Sequence, residues 1–415
     1  MDKKNRYNRE IESILNKDFV RKFVIKKIKL NLNWILISGI ICITIIFLIF
    51  IILPFIDRKE NVETSFESPL EDDGLLEDLN YENIIQEYKE DIIVIEDTSS
   101  PENTIKTIKD LGIVDPTIPY NSKRLTDDVT ALVNMYPEIL TLNTIGKSAL
   151  GKDIPLITLG FGERSILWVG AIHAREVLTS AYLLLVIEEY ANAYSNEHAY
   201  DGISAERIKV LLNEFTVYFV PMANPDGVDI VTFNGNSNVN VDDIRTWRNN
   251  ANGVDLNRNF PFDWERASSN SSSHNHFFFR GFTAGDEPEV KALIELCESK
   301  DFEHMVSYHT AGQVIFWRDE KNGVIPGDEF LASIIEETTE YKMQPPTKVA
   351  LNGWAGCFEN WFRYKYNKPG ICLEFATFNT ADKDLISTFY SADAVNWSKT
   401  RILLFAVLDN LSFVA

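Results

Sequence analysis

Ser165-Ile-Leu-Trp-Val-Gly170-Ala-Ile-His173-Ala-Arg175-Glu176-Val177-Leu-Thr-Ser-Ala-Tyr-Leu-Leu-Leu-Val-Ile-Glu-Glu-Tyr190 reads as a buried strand, a polar corner and a long apolar helix. The strand-like run, residues 165–172, ends in His173 and Glu176, and the helix-like run, 177–194, follows at once. A second strand-like run, 305–308, ends in His309, and a third, 370–376, carries Glu374. Open α/β sheets place their ligands at the carboxyl ends of strands. His173, Glu176 and His309 are two imidazoles and a carboxylate, a set that suits zinc and leaves a fourth position for water. Glu374 would be the base that such a water requires. Alone, an HxxE spacing is a weak signal, and a lone histidine such as His309 is more often a core residue than a ligand. The reading rests on whether the four converge.

Around this stretch the chain alternates between strand-like and helix-like runs. Strand candidates lie at 140–145, 154–159, 216–221, 304–308, 313–317 and 370–376. Helix candidates lie at 122–136, 204–212, 288–299, 329–340 and 396–412. This alternation predicts an α/β fold: a single domain over 118–412 with a mixed, mostly parallel central sheet flanked by helices. Residues 234–252 and 266–279 read as loops in its middle, and the histidines in Ser271-Ser-Ser-His274-Asn-His276 read as solvated loop residues.

The 415 residues carry 40 Lys/Arg against 61 Asp/Glu, a formal net charge of −21, and they are unevenly distributed. Residues 1–33 are basic and the remainder is strongly acidic. A body that acidic is a poor nucleic-acid binder. Between the two lies Trp34-Ile-Leu-Ile-Ser-Gly-Ile-Ile-Cys-Ile-Thr-Ile-Ile-Phe-Leu-Ile-Phe-Ile-Ile-Leu-Pro-Phe-Ile56, a run without a charge and long enough to cross a bilayer. It starts too late and runs too long for a cleaved signal peptide. The basic flank predicts a cytoplasmic tail at 1–33, a transmembrane helix at 34–56 and an extracytoplasmic body. Residues 57–117, acidic and with Ser and Pro, read as a tether. Of four cysteines, Cys42 falls in the apolar run; Cys297, Cys357 and Cys372 have no CxxC spacing and predict no disulfide framework. Nothing in the sequence marks an oligomeric state.

The order of motifs narrows the reading. Gly146-Lys-Ser is followed by Gly170-Ala-Ile-His173-Ala-Arg175-Glu176, Asn224-Pro-Asp-Gly227, Gly253-Val-Asp-Leu-Asn257-Arg258-Asn259-Phe260, Glu287-Pro-Glu289, Ser307-Tyr-His309-Thr and Gly370-Ile-Cys-Leu-Glu374. Over roughly residues 118–412 this resembles the zinc carboxypeptidase family. The resemblance implies one zinc per chain held by His173, Glu176 and His309, with Glu374 as the general base. It implies that Arg175 contacts substrate, and that Asn257 and Arg258 grip the carboxylate of the residue after the scissile bond. A guanidinium pairs with a carboxylate through two parallel hydrogen bonds, which would fix the substrate's register. Arg248, in Trp247-Arg248-Asn-Asn-Ala-Asn252, is the candidate for the arginine that stabilises the oxyanion.

By the same resemblance, Glu359 falls at the floor of the specificity pocket, where an acid favours a cationic side chain or the amine of a diamino acid. The position of the mobile tyrosine of digestive members falls, counting back without gaps from Glu374, on Asn352, so the resemblance does not carry that closing role over. The stretches 308–317 and 361–374 resemble the bacterial branch that cuts γ-D-glutamyl–diamino acid bonds in cell-wall stem peptides. Two peptide substrates stay open: a wall peptide containing a diamino acid, or the C-terminus of an ordinary peptide. A catalytically silent peptide-binding protein with the same fold is the reading of another class. All four metal and base positions being present argues against it.

Overall fold

The computed structural model describes residues 112–116, 118–232, 247–267, 278–318, 323–344, 355–377 and 396–413. The expected basic tail, transmembrane helix and nearly all of the tether lie outside the described residues, as do Asn352, His274 and His276.

The first element, α1 (Ser122–Met135), starts where the Asn121 side chain accepts a hydrogen bond from the Arg124 amide. Its buried stripe, Leu125, Val129 and Leu132, keeps to helical spacing. β1 (Leu140–Lys147) and β2 (Asp153–Gly160) form an antiparallel hairpin. β3 (Arg164–Val169) then feeds α2 (Leu178–Ser195), α3 (Ala205–Glu214) and β4 (Phe215–Val220). Next come the short α4 (Pro225–Val231) and α5 (Pro288–Ser299), then β5 (Phe302–Thr310) and β6 (Val314–Phe316). The chain closes with α6 (Asp328–Thr339), β7 (Lys342–Met343), α7 (Phe358–Tyr366), β8 (Gly370–Phe375), α8 (Trp397–Thr400) and α9 (Leu403–Leu411).

The strands make one eight-stranded sheet in the order β1-β2-β4-β3-β5-β8-β6-β7. Its centre, β4-β3-β5-β8, is parallel, and antiparallel pairs flank it on both sides. The mixed, mostly parallel sheet expected from the alternation is what forms. The parallel strands are apolar over nearly their whole length because both faces are covered; β3, for instance, buries Ile166, Leu167, Trp168 and Val169 completely. α2 is apolar almost all round, and Leu183, Leu184, Leu185 and Ile187 are all inaccessible. That is the pattern of a helix packed on more than one side.

There are three local departures. The strand expected over 165–172 stops at Val169 because Ala171 takes a left-handed φ of 46° and its amide turns to Thr179 Oγ1 at 2.8 Å. The helix expected over 396–412 is broken into α8 and α9. Residues 358–366, aromatic or charged at every position but Asn360, form α7, which the sequence reading did not predict. The strand order reverses between β3 and β5: β3 is followed by β4 on one side, and β5 returns on the other. The crevice outside their carboxyl ends is therefore the place for a ligand.

Two acids on α2 are buried beside each other. Glu188 accepts hydrogen bonds from the amides of Ile113 (3.2 Å) and Val114 (3.0 Å), tying the entering segment to the body. Glu189 Oε2 finds no hydrogen-bonding partner among the described residues. Burial, reinforced by Asp201 and Glu188 and opposed by Arg401, pushes the Glu189 carboxyl up from 4.5 to about 8. A pKa raised by folding means that the folded state holds the proton more tightly. This contribution to stability is full below the unfolded pKa and is lost as pH rises through about 8. Glu189→Gln is expected to raise Tm by several degrees at pH 8.5 and to change it little at pH 5, measured by calorimetry at both pH values. An equal effect at the two would show that the carboxyl is not protonated in the fold.

Candidate active site

His173 and Glu176 sit in the corner between β3 and α2, where Glu176 N donates to His173 O at 3.1 Å. Thr179 Oγ1 donates to Glu176 O at 2.8 Å, which closes this corner onto the first turn of α2. His309 lies one residue from the end of β5, and in the parallel pairing with β8 it stands directly opposite Glu374. The two histidines and Glu176 are buried and converge. His173 Nδ1 is 2.9 Å from Glu176 Oε1, and His309 Nδ1 is 3.0 Å from Glu176 Oε2 and 2.9 Å from His173 Nδ1. Their ligand atoms all lie within 4.8 Å of one another.

The opposite edge of each ring faces a carboxylate. His173 Nε2 is 3.3 Å from Asp255 Oδ1. His309 Nε2 is 2.7 Å from Ser307 Oγ and 3.2 Å from Glu359 Oε1. Asp255 is fully buried, and burial alone would raise its pKa; Arg248, with Nε at 2.7 Å from Oδ2, and His173 hold it well below the usual carboxylate range. Asp255 also accepts from the Asn257 amide at 3.0 Å, starting the short turn Leu256–Arg258 that carries both Asn257 and Arg258. Asn257 Oδ1 in turn accepts from the Phe358 amide at 2.8 Å, at the first residue of α7. A close backbone contact locks that junction: Gly356 has φ +71°, and a Cβ there would stand 2.2 Å from Arg258 O.

These residues fit a zinc ion. The donor set is His₂Glu, the Nδ1 atoms and the carboxylate point at one place, and each imidazole has an outer partner that fixes its orientation. The electrostatics point the same way. Although burial disfavours its charge, His309 is pushed up to about 10 by Glu176 and by Glu359. Glu176 is held far below its ordinary value by the two histidines, against the effect of burial. A proton on His309 thus stands where a cation is wanted. His173 is lowered, by burial and by Arg248. Burial pushes Glu374 up to about 7, with His309 opposing and Glu176 adding. That range suits a group that takes and returns a proton near neutrality.

Each candidate metal, base and substrate-binding residue lies among the described residues. His173, Glu176, His309 and Glu374 are brought together. Arg175 lies between the two ligands of its loop. Arg248 is buried against Asp255 at the edge of the cluster. Asn257 packs its amide 3.3 Å from His309 Nε2 and 3.4 Å from Glu359 Oε2. Glu359, expected at the floor of a specificity pocket, is buried with its carboxylate against the outer edge of the His309 ring. Burial raises its pKa, but His309 and Ser307 outweigh that and lower it. Asp255 and Ser307 were not singled out as site residues; an acid two residues before an Asn-Arg pair was the available signal for Asp255. Cys297, Cys357 and Cys372 are buried thiols, with no disulfide among the described residues.

A buried His₂Glu cluster at the carboxyl ends of parallel strands, with a buried carboxyl beside it, marks the chain as an α/β protein with a zinc-type site. Residues 125–352, more than half of the chain, match the family model described as zinc carboxypeptidase, and the chain belongs to that family. The gamma-D-glutamyl-L-diamino acid endopeptidase 1 of Lysinibacillus sphaericus is 30% identical over 271 residues, covering 62% of this chain and 66% of that one. The chain thus spans just under two thirds of that relative's length. The uncharacterized protein YqgT of Bacillus subtilis (strain 168) is 28% identical over 272 residues, covering 61% of this chain and 69% of that one. The structure of bovine thrombin-activatable fibrinolysis inhibitor, in complex with tick carboxypeptidase inhibitor, shares the fold. Its TM-score is 0.58 at 19% identity, over 72% of this chain and 99% of that one.

Asp255→Asn keeps the size of the side chain but weakens the hold on His173 Nε2. Zinc affinity, read by competition with a chelator, is expected to fall about ten- to a hundredfold. Affinity equal to wild type would show that Asp255 does not orient the ligand.

Proposed function

We propose that this protein is a membrane-anchored zinc metallopeptidase that hydrolyses a peptide bond next to a diamino acid in cell-wall stem peptides. The observation that carries the peptidase reading is the convergence of His173, Glu176 and His309 with Glu374 facing His309 across the β5–β8 pairing. When bound there, zinc would lower the pKa of a water and polarise the peptide carbonyl. The protein's own residues do the rest. Glu374 accepts the proton of the attacking water and delivers it to the leaving amine. Arg248, fixed by Asp255, offers a cation to the oxygen that gains charge. Asn257 and Arg258, on one turn, receive the carboxylate of the residue beyond the scissile bond, with Arg175 contacting the substrate from the metal loop.

The wall-peptide reading is supported by the printed name of the Lysinibacillus relative, a gamma-D-glutamyl-L-diamino acid endopeptidase. Anchoring is supported by the uncharged run at 34–56 behind a basic flank; it would keep the enzyme on the outer face, next to the wall. The removal of C-terminal residues from ordinary peptides is the second reading, supported by the family itself.

The test compares the zinc-loaded wild type with Glu374→Gln on diamino-acid muropeptides and on peptides ending in Lys, Arg or Phe, with products identified by mass spectrometry. Cleavage at the γ-D-glutamyl–diamino acid bond is expected, lost by about 10³-fold in Glu374→Gln while zinc stays near one per chain. Products from the ordinary peptides alone sink the wall reading. Zinc-loaded protein that cleaves neither set sinks the peptidase reading.

A further inference from the structure

Phe278 takes no part in the chemistry above, yet it touches both arginines invoked there. The guanidinium carbons of Arg248 and Arg258 each lie 5.3 Å from the centroid of its ring, inside the range of about 6 Å in which a ring face attracts a cation. Phe278 holds a φ of +67°, the left-handed region that a bulky side chain rarely enters. Such a conformation persists only where its surroundings over-determine it, and here they do. The Phe279 carbonyl accepts from the Asp255 amide at 2.8 Å. Asn259 Nδ2 donates to the carbonyls of Arg280 (2.9 Å) and Thr283 (3.0 Å). Arg280 Nη1 donates to the carbonyls of Trp264 and Glu265, both at 2.6 Å, and its guanidinium lies 4.3 Å over the Trp264 ring. The segment that follows Phe278 is therefore bonded to the same turn that carries Asp255, Asn257 and Arg258.

The two arginines need such a support for different reasons. Arg248 is buried and paired through Nε with Asp255. Arg258 is half-buried and donates Nη1 to the carbonyl of Asn257 at 2.7 Å. Two like charges this near a common ring repel each other, and the ring's negative face offsets that repulsion while setting where each guanidinium plane lies.

We propose that Phe278 is a positioning residue for substrate recognition, its ring holding Arg258 where it meets the free carboxylate of a peptide and Arg248 where it meets the oxygen that gains charge. The inference rests on the peptidase reading above. Its cause is the π face and not bulk alone, which separates it from a plain packing role. Phe278→Leu keeps apolar volume and removes the ring; Phe278→Tyr keeps the ring.

The experiment uses the full zinc-loaded chain. The Glu374→Gln form, alone and with each Phe278 change, is titrated calorimetrically with the dipeptide Ala-Lys and with its C-terminal amide. In parallel, kcat/KM is measured for the active forms. Phe278→Leu is expected to reduce the preference for acid over amide at least fivefold and kcat/KM at least tenfold, with zinc content and Tm unchanged. Phe278→Tyr is expected to restore both to within about threefold of wild type. An acid preference unchanged in Phe278→Leu overturns the proposal, as does a loss that Phe278→Tyr fails to restore, or a parent protein that binds acid and amide equally. Absence of turnover in the wild type would count against the peptidase reading, while the acid-against-amide titration still decides the role of Phe278.

Discussion

The parallel pairing of β5 with β8 is the constraint on which the site depends. It sets His309 opposite Glu374, so that a ligand and the proposed base arise from one register. Side chains alternate along a strand, and a slip of one residue would send one of the pair to the other face of the sheet. The register is secured on the face away from His309 and Glu374, where Val306, Tyr308, Ile371 and Leu373 are all inaccessible. The apolar core thereby acts on the chemistry directly, since it leaves only one way to lay the two strands together.

The second organising element is a chain of buried carboxylates that would cost much if left unpaired. Asp255 answers His173 and Arg248; Glu359 answers His309 and Asn257; Glu176 answers both imidazoles. Each acid is held ionised by the cationic or hydrogen-bonding group it orients. Glu374 differs, with burial dominating and its pKa raised to about 7. Two kinds of carboxyl thus share one small volume, fixed anions that hold His173 and His309 in place and one group whose burial moves it toward neutrality. The turn Leu256–Arg258 ties these together, because its cap is Asp255 and its Asn257 side chain starts α7.

Much of this was legible in the chain, and the reasons are local. Ser165 to Tyr190 announces a strand, a corner and a helix through apolar runs of the right lengths, and the candidate ligands His173 and Glu176 fall where those runs meet. Asn121 caps α1 and Pro288 opens α5 as such residues do. Other features had no local sign. The helix α7 buries Phe358 to Arg363, polar and aromatic alike, against the Asn257 turn and the sheet, and leaves Tyr364 and Lys365 exposed. Glu359 looked like a pocket-lining acid by position, and its partner proved to be the ring of His309, fifty residues away in sequence.

Residue types and spacing by themselves determined the α/β class, the His₂Glu donor set, the acid beside it and the acidity of the body. These follow from what each side chain can bind and from how long an apolar run must be to form a strand or a helix. Tertiary structure alone decided the strand order, the partner of each imidazole, the burial that raises Glu374 and the ring that Arg248 and Arg258 share. Those depend on contacts between residues far apart in the chain, and short-range periodicity carries no information about which distant groups will meet.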